Sequence, residues 1–256
     1  MKPFAKKELG QHFLSDHSVI ANIIDAIRPQ PTDKMVEIGP GRGALTYLLQ
    51  DKLTRLHVIE LDLDLIPHLQ AIPNLEVHVG DALRFDFASL TPCGAPLRVV
   101  GNLPYNISTP ILFHLLRFST DIIDLHLMLQ KEVVARMVAS PNNKTYGRLS
   151  VMLQYRLQLE FLFDVPASAF RPAPQVQSAF VRCIPYTLLP HAAVDEALFV
   201  RLVKTAFLQR RKVLRNSLKT WVSEDDFAAS AIDGGARAEN LTVADFVRLA
   251  NHLDRL

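Results

Sequence analysis

The segment Asn102-Leu103-Pro104-Tyr105 carries the residue types needed to hold a planar amine. The Asn102 carboxamide oxygen can accept one amine hydrogen, and the backbone carbonyl of Leu103, just before Pro104, can accept another. Pro104 keeps the turn rigid and contributes no donor. Tyr105 offers an aromatic face for a base, worth roughly 1–3 kcal/mol on platforms of this kind. An adenine-type amine is a poor nucleophile because its lone pair is delocalised into the ring. Two acceptors on its hydrogens favour a more pyramidal nitrogen, and they stabilise the positive charge that grows as the amine is alkylated. Alignment then matters more than a strong base, and no general base is nominated.

A second group of residues suits a nucleotide-like cofactor. Glu37-Ile38-Gly39-Pro40-Gly41-Arg42-Gly43 follows an apolar strand pattern and opens a helical one. Gly39 and Gly41 permit a tight turn and close backbone approach, while the helix start offers free N–H groups. Glu60 ends the next strand pattern, where an acid can accept both ribose hydroxyls. Asp81, in Val79-Gly80-Asp81-Ala82, ends the third and can accept from an adenine amine. Nucleotides, dinucleotides and S-adenosylmethionine all use such a loop. A dehydrogenase is disfavoured because the loop lacks the third glycine placement of the dinucleotide fingerprint, and because it has no need of Asn102 and Tyr105.

The elements that must position these residues alternate. Met35 to Ile38, Leu56 to Leu61, Leu75 to Val79, Leu97 to Val100 and Asp124 to Leu129 read as strands. Ala44 to Leu49 and Leu63 to Leu69 read as helices, and an earlier helix capped by Ser15 or Asp16 buries Val19, Ile20, Ile23, Ile24 and Ile27. This pattern predicts a parallel, doubly wound sheet. Near Pro185 to Pro190 it gives way to helical periodicities over Glu196 to Trp221, Glu224 to Ala231 and Val243 to Leu253.

Composition sets broad bounds. The 256 residues are 49% apolar and 21% charged, ordinary for a soluble globular chain with room for a smaller second module. A net charge of +2 announces no nucleic-acid partner, so a binding surface must come from local clustering. Cys93 and Cys183 lack metal or redox spacing and read as reduced and buried, and no metal is expected. No run reaches membrane-spanning length and the start lacks a signal-peptide core, so a cytoplasmic protein is expected.

Several stretches together resemble one family. Asn102-Leu103-Pro104-Tyr105-Asn106-Ile107-Ser108-Thr109-Pro110 closely resembles the adenine dimethyltransferases of small-subunit ribosomal RNA. Gly10-Gln11-His12-Phe13-Leu14, Val36 to Gly41, Leu129 to Val134 and Tyr146-Gly147-Arg148-Leu149-Ser150 are similar to the same family. So are Ala169 to Pro172, Gln209 to Lys212 and Arg237 to Leu241, and the resemblance spans almost the whole chain. It implies S-adenosylmethionine as methyl donor, S-adenosylhomocysteine as product, and N6,N6-dimethylation of two adjacent adenosines near the 3′ end of 16S ribosomal RNA. A role in small-subunit biogenesis and a monomeric state are implied as well. The fold implied is α/β, a Rossmann-like S-adenosylmethionine methyltransferase sheet with a small α-helical C-terminal domain that binds RNA, and the change of periodicity places the two at residues 1–188 and 189–256.

The resemblance also implies site roles. The Gln-x-Phe-Leu stretch helps close the cofactor site, which implicates His12 and Leu14. Asparagine is frequent where His12 stands, and a histidine there can still hydrogen-bond the methionine end. Gly39, Gly41, Glu60, Asp81 and Asn102 line the cofactor site. Phe170 matches an aromatic that covers the target adenine on the face opposite Tyr105.

From Lys204 to Lys219 the chain is cationic without an acid. On one helical projection Val203, Phe207, Leu214 and Leu218 form an apolar stripe flanked by Lys204, Arg211, Lys212, Arg215 and Lys219. This predicts an amphipathic helix with a phosphate-binding outer face. Arg210 falls at the stripe's edge and suits packing or an internal ion pair, whereas Lys2, Lys6, Lys7 and Arg148 extend the cationic surface. Two rival readings remain: a resistance methyltransferase of large-subunit RNA, and a non-catalytic nucleic-acid-binding relative.

Overall fold

The structure, a computed structural model, describes residues 5–91 and 94–255, apart from the side chain of Lys7. Lys2 and Cys93 lie outside the described residues. Seven strands make one sheet: β1 Lys34–Ile38, β2 Leu56–Glu60, β3 Leu75–Val79, β4 Leu97–Asn102, β5 Ile122–Gln130, β6 Leu157–Val165 and β7 Ser178–Pro185. Their order is β3-β2-β1-β4-β5-β7-β6. The first five run parallel, and β7 returns antiparallel to β5. The strand order reverses between β1 and β4, where an α/β sheet opens a crevice at its carboxyl edge.

The inner strands are apolar because both of their faces are covered. Helix α1, His17–Ile27, buries Val19, Ile20, Ile23, Ile24 and Ile27 in one cluster with Met35, Val58, Val100 and Phe180. Each fully buried isoleucine there contributes about 1.5–3 kcal/mol. Asp16 caps α1 by accepting from the backbone of Ser18 and Val19, whereas the Ser15 hydroxyl donates to the Ala169 carbonyl. Short helices α2 Thr46–Gln50, α3 Ile66–Gln70 and α4 Ser108–Leu116 follow β1, β2 and β4. A two-residue ladder pairs Phe13 with Arg171 and Leu14 with Phe170.

The chain divides into two compact units, one holding the chain up to Val134 and Leu159–Pro185, the other Ala135–Gln158 and Tyr186–Leu256. Helix α5, Lys131–Met137, carries the chain from the first into the second. The helical unit thus takes in residues 135–158 beyond the 189–256 segment expected from periodicity. Its helices are α6 Arg148–Arg156, α7 Glu196–Leu208, α8 Leu214–Ser217, α9 Glu224–Ala229 and α10 Val243–Leu253. Tyr146, Phe207 and Phe246 form a chain of ring contacts in it. The Ser150 hydroxyl accepts from Gly147 N–H and donates to the Arg136 carbonyl, which fixes the start of α6.

The single helix expected from Lys204 to Lys219 is broken. Helix α7 starts on an Asp195 cap and ends at Leu208. Beyond it Val213 bridges Arg237, Leu214 N–H donates to Ala236 and Arg215 N–H to Gly234. Those bonds to a distant segment of the same chain replace the helical ones. Leu214 and Leu218 are still fully buried, but from a separate turn, so an apolar spacing that fits one helix is met by two elements.

Candidate active site

Strand β4 delivers Asn102 to the carboxyl edge of the sheet. Its approach to β1 is close: a Cβ on Gly101 would lie 2.8 Å from the Ile38 carbonyl, so only glycine fits. The Asn102 amide nitrogen donates to the His12 carbonyl at 3.0 Å. A carbonyl can only accept, so this contact uses the amide nitrogen and leaves Oδ1, which no described donor reaches, as an available acceptor. Leu103 N–H is tied to the Met128 carbonyl at 3.1 Å, and among the described residues no donor reaches the Leu103 carbonyl. After Pro104 the chain makes a 3-10 turn over Tyr105–Ile107. The Tyr105 hydroxyl bonds the Ser178 hydroxyl at 2.7 Å, and burial pushes its pKa up.

These residues border a cavity of about 200 Å³. Its wall also includes Gly39, Gly41, Glu60 and Asp81 from the ends of the neighbouring strands, and His12 and Leu14 from the N-terminal segment. Gly41 adopts φ +57°, and a Cβ there would come 3.0 Å from the Phe13 ring, on which the Arg42 guanidinium also lies at 4.3 Å. Glu60 is buried and accepts from Leu61 N–H, Asp62 N–H and Gly41 N–H. Burial pushes its carboxyl up, against the pull of those donors. The Gly41 contact at 3.2 Å leaves Oε2 room for a further donor. Asp81 Oδ1 accepts from Leu83 N–H, and Oδ2 has no hydrogen bond among the described residues.

Sequence reasoning missed Asp62 and Glu37. The Asp62 side chain is fully buried and accepts from Lys6 Nζ at 2.5 Å and Gln11 Nε2 at 2.8 Å. Burial alone would raise its carboxyl, but those two donors hold it below the usual range. Lys6 also pairs with Asp64 at 2.7 Å. Lys6 therefore anchors the N-terminal segment and is not part of a cationic outer surface. The signal was the Glu-x-Asp spacing at the end of β2. Glu37 is buried with its Oε2 accepting from the Thr46 hydroxyl at 2.7 Å, and burial lifts its pKa to about 7.

One expected residue stands elsewhere. Phe170 does not line the cavity: it is fully buried in the α1 cluster beside Leu14 and Ala169. Its place on a two-residue strand paired with Leu14 turns the ring into the core. The ring that lies against Tyr105 is His12, with centroids 5.5 Å apart and planes at 28°. His12 Nδ1 is 2.8 Å from the Pro172 carbonyl, so it carries the hydrogen and leaves Nε2 as an acceptor in the neutral ring. In the helical unit Lys204, Arg211, Lys212, Arg215 and Lys219 are all exposed. Arg215 approaches Glu224 at 3.6 Å, and Arg210 pairs with Glu239 and the Lys144 carbonyl. Lys204 lies on α7 and Arg211 and Lys212 on the turn after it, so the cations do not share one helical face. Cys183 is buried with a free thiol.

Strand order and site together define a Rossmann-like methyltransferase. The chain belongs to the ribosomal RNA adenine dimethylase family, whose profile matches residues 4–255. Ribosomal RNA small subunit methyltransferase A of Methylobacillus flagellatus is 57% identical over 256 residues, covering 99% of each chain. Its namesake from Aromatoleum aromaticum is 57% identical over 252 residues, covering 97% of this chain and 94% of that one. A dimethyladenosine transferase from Plasmodium falciparum superposes with a TM-score of 0.78 at 26% identity, over 93% of this chain and 96% of the other. The 23S rRNA methyltransferase ErmE gives 0.71 at 26% identity, over 94% and 99%. No helix among the described residues is long and apolar enough to cross a membrane.

Proposed function

We propose that this chain is an S-adenosylmethionine-dependent dimethyltransferase that converts two adjacent adenosines near the 3′ end of 16S ribosomal RNA to N6,N6-dimethyladenosine. Its substrate is the RNA of an immature small ribosomal subunit, its setting the cytoplasm and its working form a monomer. The observation that carries the reading is the pair of acceptors with no donor among the described residues, Asn102 Oδ1 and the Leu103 carbonyl, on two residues that line a cavity with Glu60 and Asp81. Family membership and relatives named for the small subunit favour it over action on the large subunit.

The cofactor fits what the wall offers. Glu60 Oε2 would accept from ribose hydroxyls, Asp81 Oδ2 from an adenine amine, and His12 Nε2 from the methionine amine. Gly39 and Gly41 keep backbone, not side chain, against it. When bound, S-adenosylmethionine supplies an electrophilic sulfonium methyl group. The chain's own work is to hold the target amine. Asn102 Oδ1 and the Leu103 carbonyl accept its two hydrogens and stabilise the positive charge that develops on nitrogen, while Tyr105 supports the base. A second methylation leaves one N–H for two acceptors, so the monomethylated amine must rotate about its bond to the ring. The target adenine must leave any stack to enter. Phe170 would join the base only by leaving the core position it now holds. The exposed cations from Lys204 to Lys219 would hold phosphates and position folded RNA without reading its bases.

Labelled methyl transfer to isolated small and large ribosomal subunits, with mass analysis of the nucleosides, tests the reading. Dimethyladenosine in small-subunit RNA is expected. Product confined to large-subunit RNA would replace the substrate, and none on either would leave a non-catalytic RNA-binding protein.

A further inference from the structure

Away from the cavity, strands β2 and β3 bring three ligand-type side chains together. The parallel register sets His57 opposite Glu76 and Ile59 opposite His78. Side chains alternate along a strand, so His57, Glu76 and His78 lie on the same face. His57 Nδ1 and His78 Nε2 are 3.1 Å apart, with the two rings stacked at 5.4 Å and 27°. Glu76 Oε2 is 3.7 Å from His57 Nδ1, and its Oε1 is 3.9 Å from His78 Nε2. His57 is almost fully buried, which limits its movement, and the Phe85 ring edges against His78 at 5.2 Å.

We propose that His57, Glu76 and His78 bind a divalent transition-metal ion of the zinc class. Zinc–nitrogen bonds of about 2.0–2.1 Å at a tetrahedral angle set two ligand nitrogens about 3.3 Å apart, near the separation found here. The two Glu76 oxygens lie 3.7 and 3.9 Å from different ring nitrogens, so the carboxylate must turn to bring one oxygen within about 3.3 Å of both, a rotation open to an exposed side chain. Two imidazoles and one carboxylate select zinc, copper or nickel over magnesium and calcium, which prefer all-oxygen ligands. The hydrogen held between the two ring nitrogens must leave that position, and the imidazole that carries it can hold it on its other nitrogen. Arg55 competes for the same carboxylate at 3.3 Å, but both partners are exposed and such pairs are weak. The fourth position is open to water, because Glu76 and His78 are not buried.

The ion would clip together the strands that end in Glu60 and, through Gly80, in Asp81. Its spacing was invisible in sequence because the ligands come from two strands, without a short His-x-His or Cys-x-x-Cys signature. The site stands independently of the methyl-transfer reading, and its test needs no RNA.

The full-length protein, stripped with a chelator and dialysed, is titrated with Zn(II) against a chromophoric chelator, with Mg(II) as comparison. One equivalent of Zn(II) is expected to bind at micromolar affinity or better and to raise the unfolding midpoint, as any ligand selective for the native state does. Co(II) should give the visible absorption of a tetrahedral nitrogen–oxygen site. His78→Gln and Glu76→Gln avoid the buried His57, and each should weaken Zn(II) binding about tenfold or more. Arg55→Ala should change it by no more than a few-fold, because the exposed ion pair is a weak competitor. Wild-type affinity in a folded His78→Gln protein, or no stoichiometric Zn(II) binding by the wild type, overturns the site. Wild-type affinity in a folded Glu76→Gln protein removes Glu76 from it.

Discussion

The Asn102 amide nitrogen donates to the His12 backbone carbonyl at 3.0 Å, joining the end of β4 to the N-terminal segment. Because the partner is main chain, the hydrogen bond does not depend on which side chain stands at position 12. It depends on an amide at 102. An aspartate there would set a carboxylate oxygen against the carbonyl, and the two acceptors would repel.

Asn102→Ala removes both the acceptor and the tether to His12. Methyl transfer in a single turnover should fall about 10²-fold or more, the usual cost of losing one preorganised transition-state dipole. Cofactor affinity, measured by calorimetry, should fall by no more than about tenfold, because Asp62 still anchors the N-terminal segment and Glu60 and Asp81 remain. Asn102→Asp should lose comparable activity. Equal losses of cofactor affinity and turnover in the alanine variant would sink the amine-holding role.

Asp62 ties down the N-terminal segment through Lys6 and Gln11. Its carboxylate touches neither the amine-holding residues nor Glu60's outward oxygen. Asp62→Ala should therefore loosen residues 6–14 and weaken cofactor binding by about tenfold, with a smaller effect on the rate at saturating cofactor. Amide exchange should quicken over the same segment. An unchanged cofactor dissociation constant would show that the anchor does not serve the cavity.

The carboxyl edge of the sheet was legible because its residues follow strands in order: Gly39 and Gly41 after β1, Glu60 at the end of β2, Asp81 after β3, Asn102 at the end of β4. Apolar runs marked those strands, and polar residues directly after them marked the edge. Lateral relationships were not legible. Sequence spacing cannot reveal that Asp62 meets Lys6, or that His57, Glu76 and His78 share a face, because these depend on register and on a returning segment. Phe170 illustrates the same limit: the residue matches a family position, but its ladder partner Leu14 decides where the ring points. The basic stretch misled for another reason. Apolar spacing alone cannot distinguish one helix from a helix, a turn and a bridge to Arg237.

That break in the basic stretch sharpens the expectation for RNA. Arg210 and Arg215 already face Glu239 and Glu224, so they should contribute less than Lys204, Arg211 and Lys212. Reversing the charge of the latter three should weaken RNA binding and flatten its salt dependence by about 0.7–0.9 in slope for each phosphate no longer neutralised. Cofactor affinity should not change. Unaltered RNA affinity across several salt concentrations would take these cations out of the interface.

Two buried groups of the sheet unit should give the protein opposed pH responses. Burial lifts the Glu37 carboxyl from 4.5 to about 7 and lowers His126 from 6.5 to about 4. Glu37 binds its proton more tightly in the folded state, so its contribution is fully present below about 4.5 and is lost as pH rises through about 7. His126 behaves in reverse: its contribution is present above about 6.5 and is lost as pH falls through about 4. Each shift corresponds to a change on the order of 3 kcal/mol, and over their shared range the two largely cancel. Glu37→Gln keeps an acceptor for the Thr46 hydroxyl but cannot titrate, so its stability should rise between pH 5 and 7 relative to the wild type. His126→Leu removes a buried Nε2 that has no partner and should show the opposite trend. Urea unfolding at several pH values reads both slopes. Parallel pH profiles for the wild type and Glu37→Gln would mean that Glu37 titrates alike in the folded and unfolded chains.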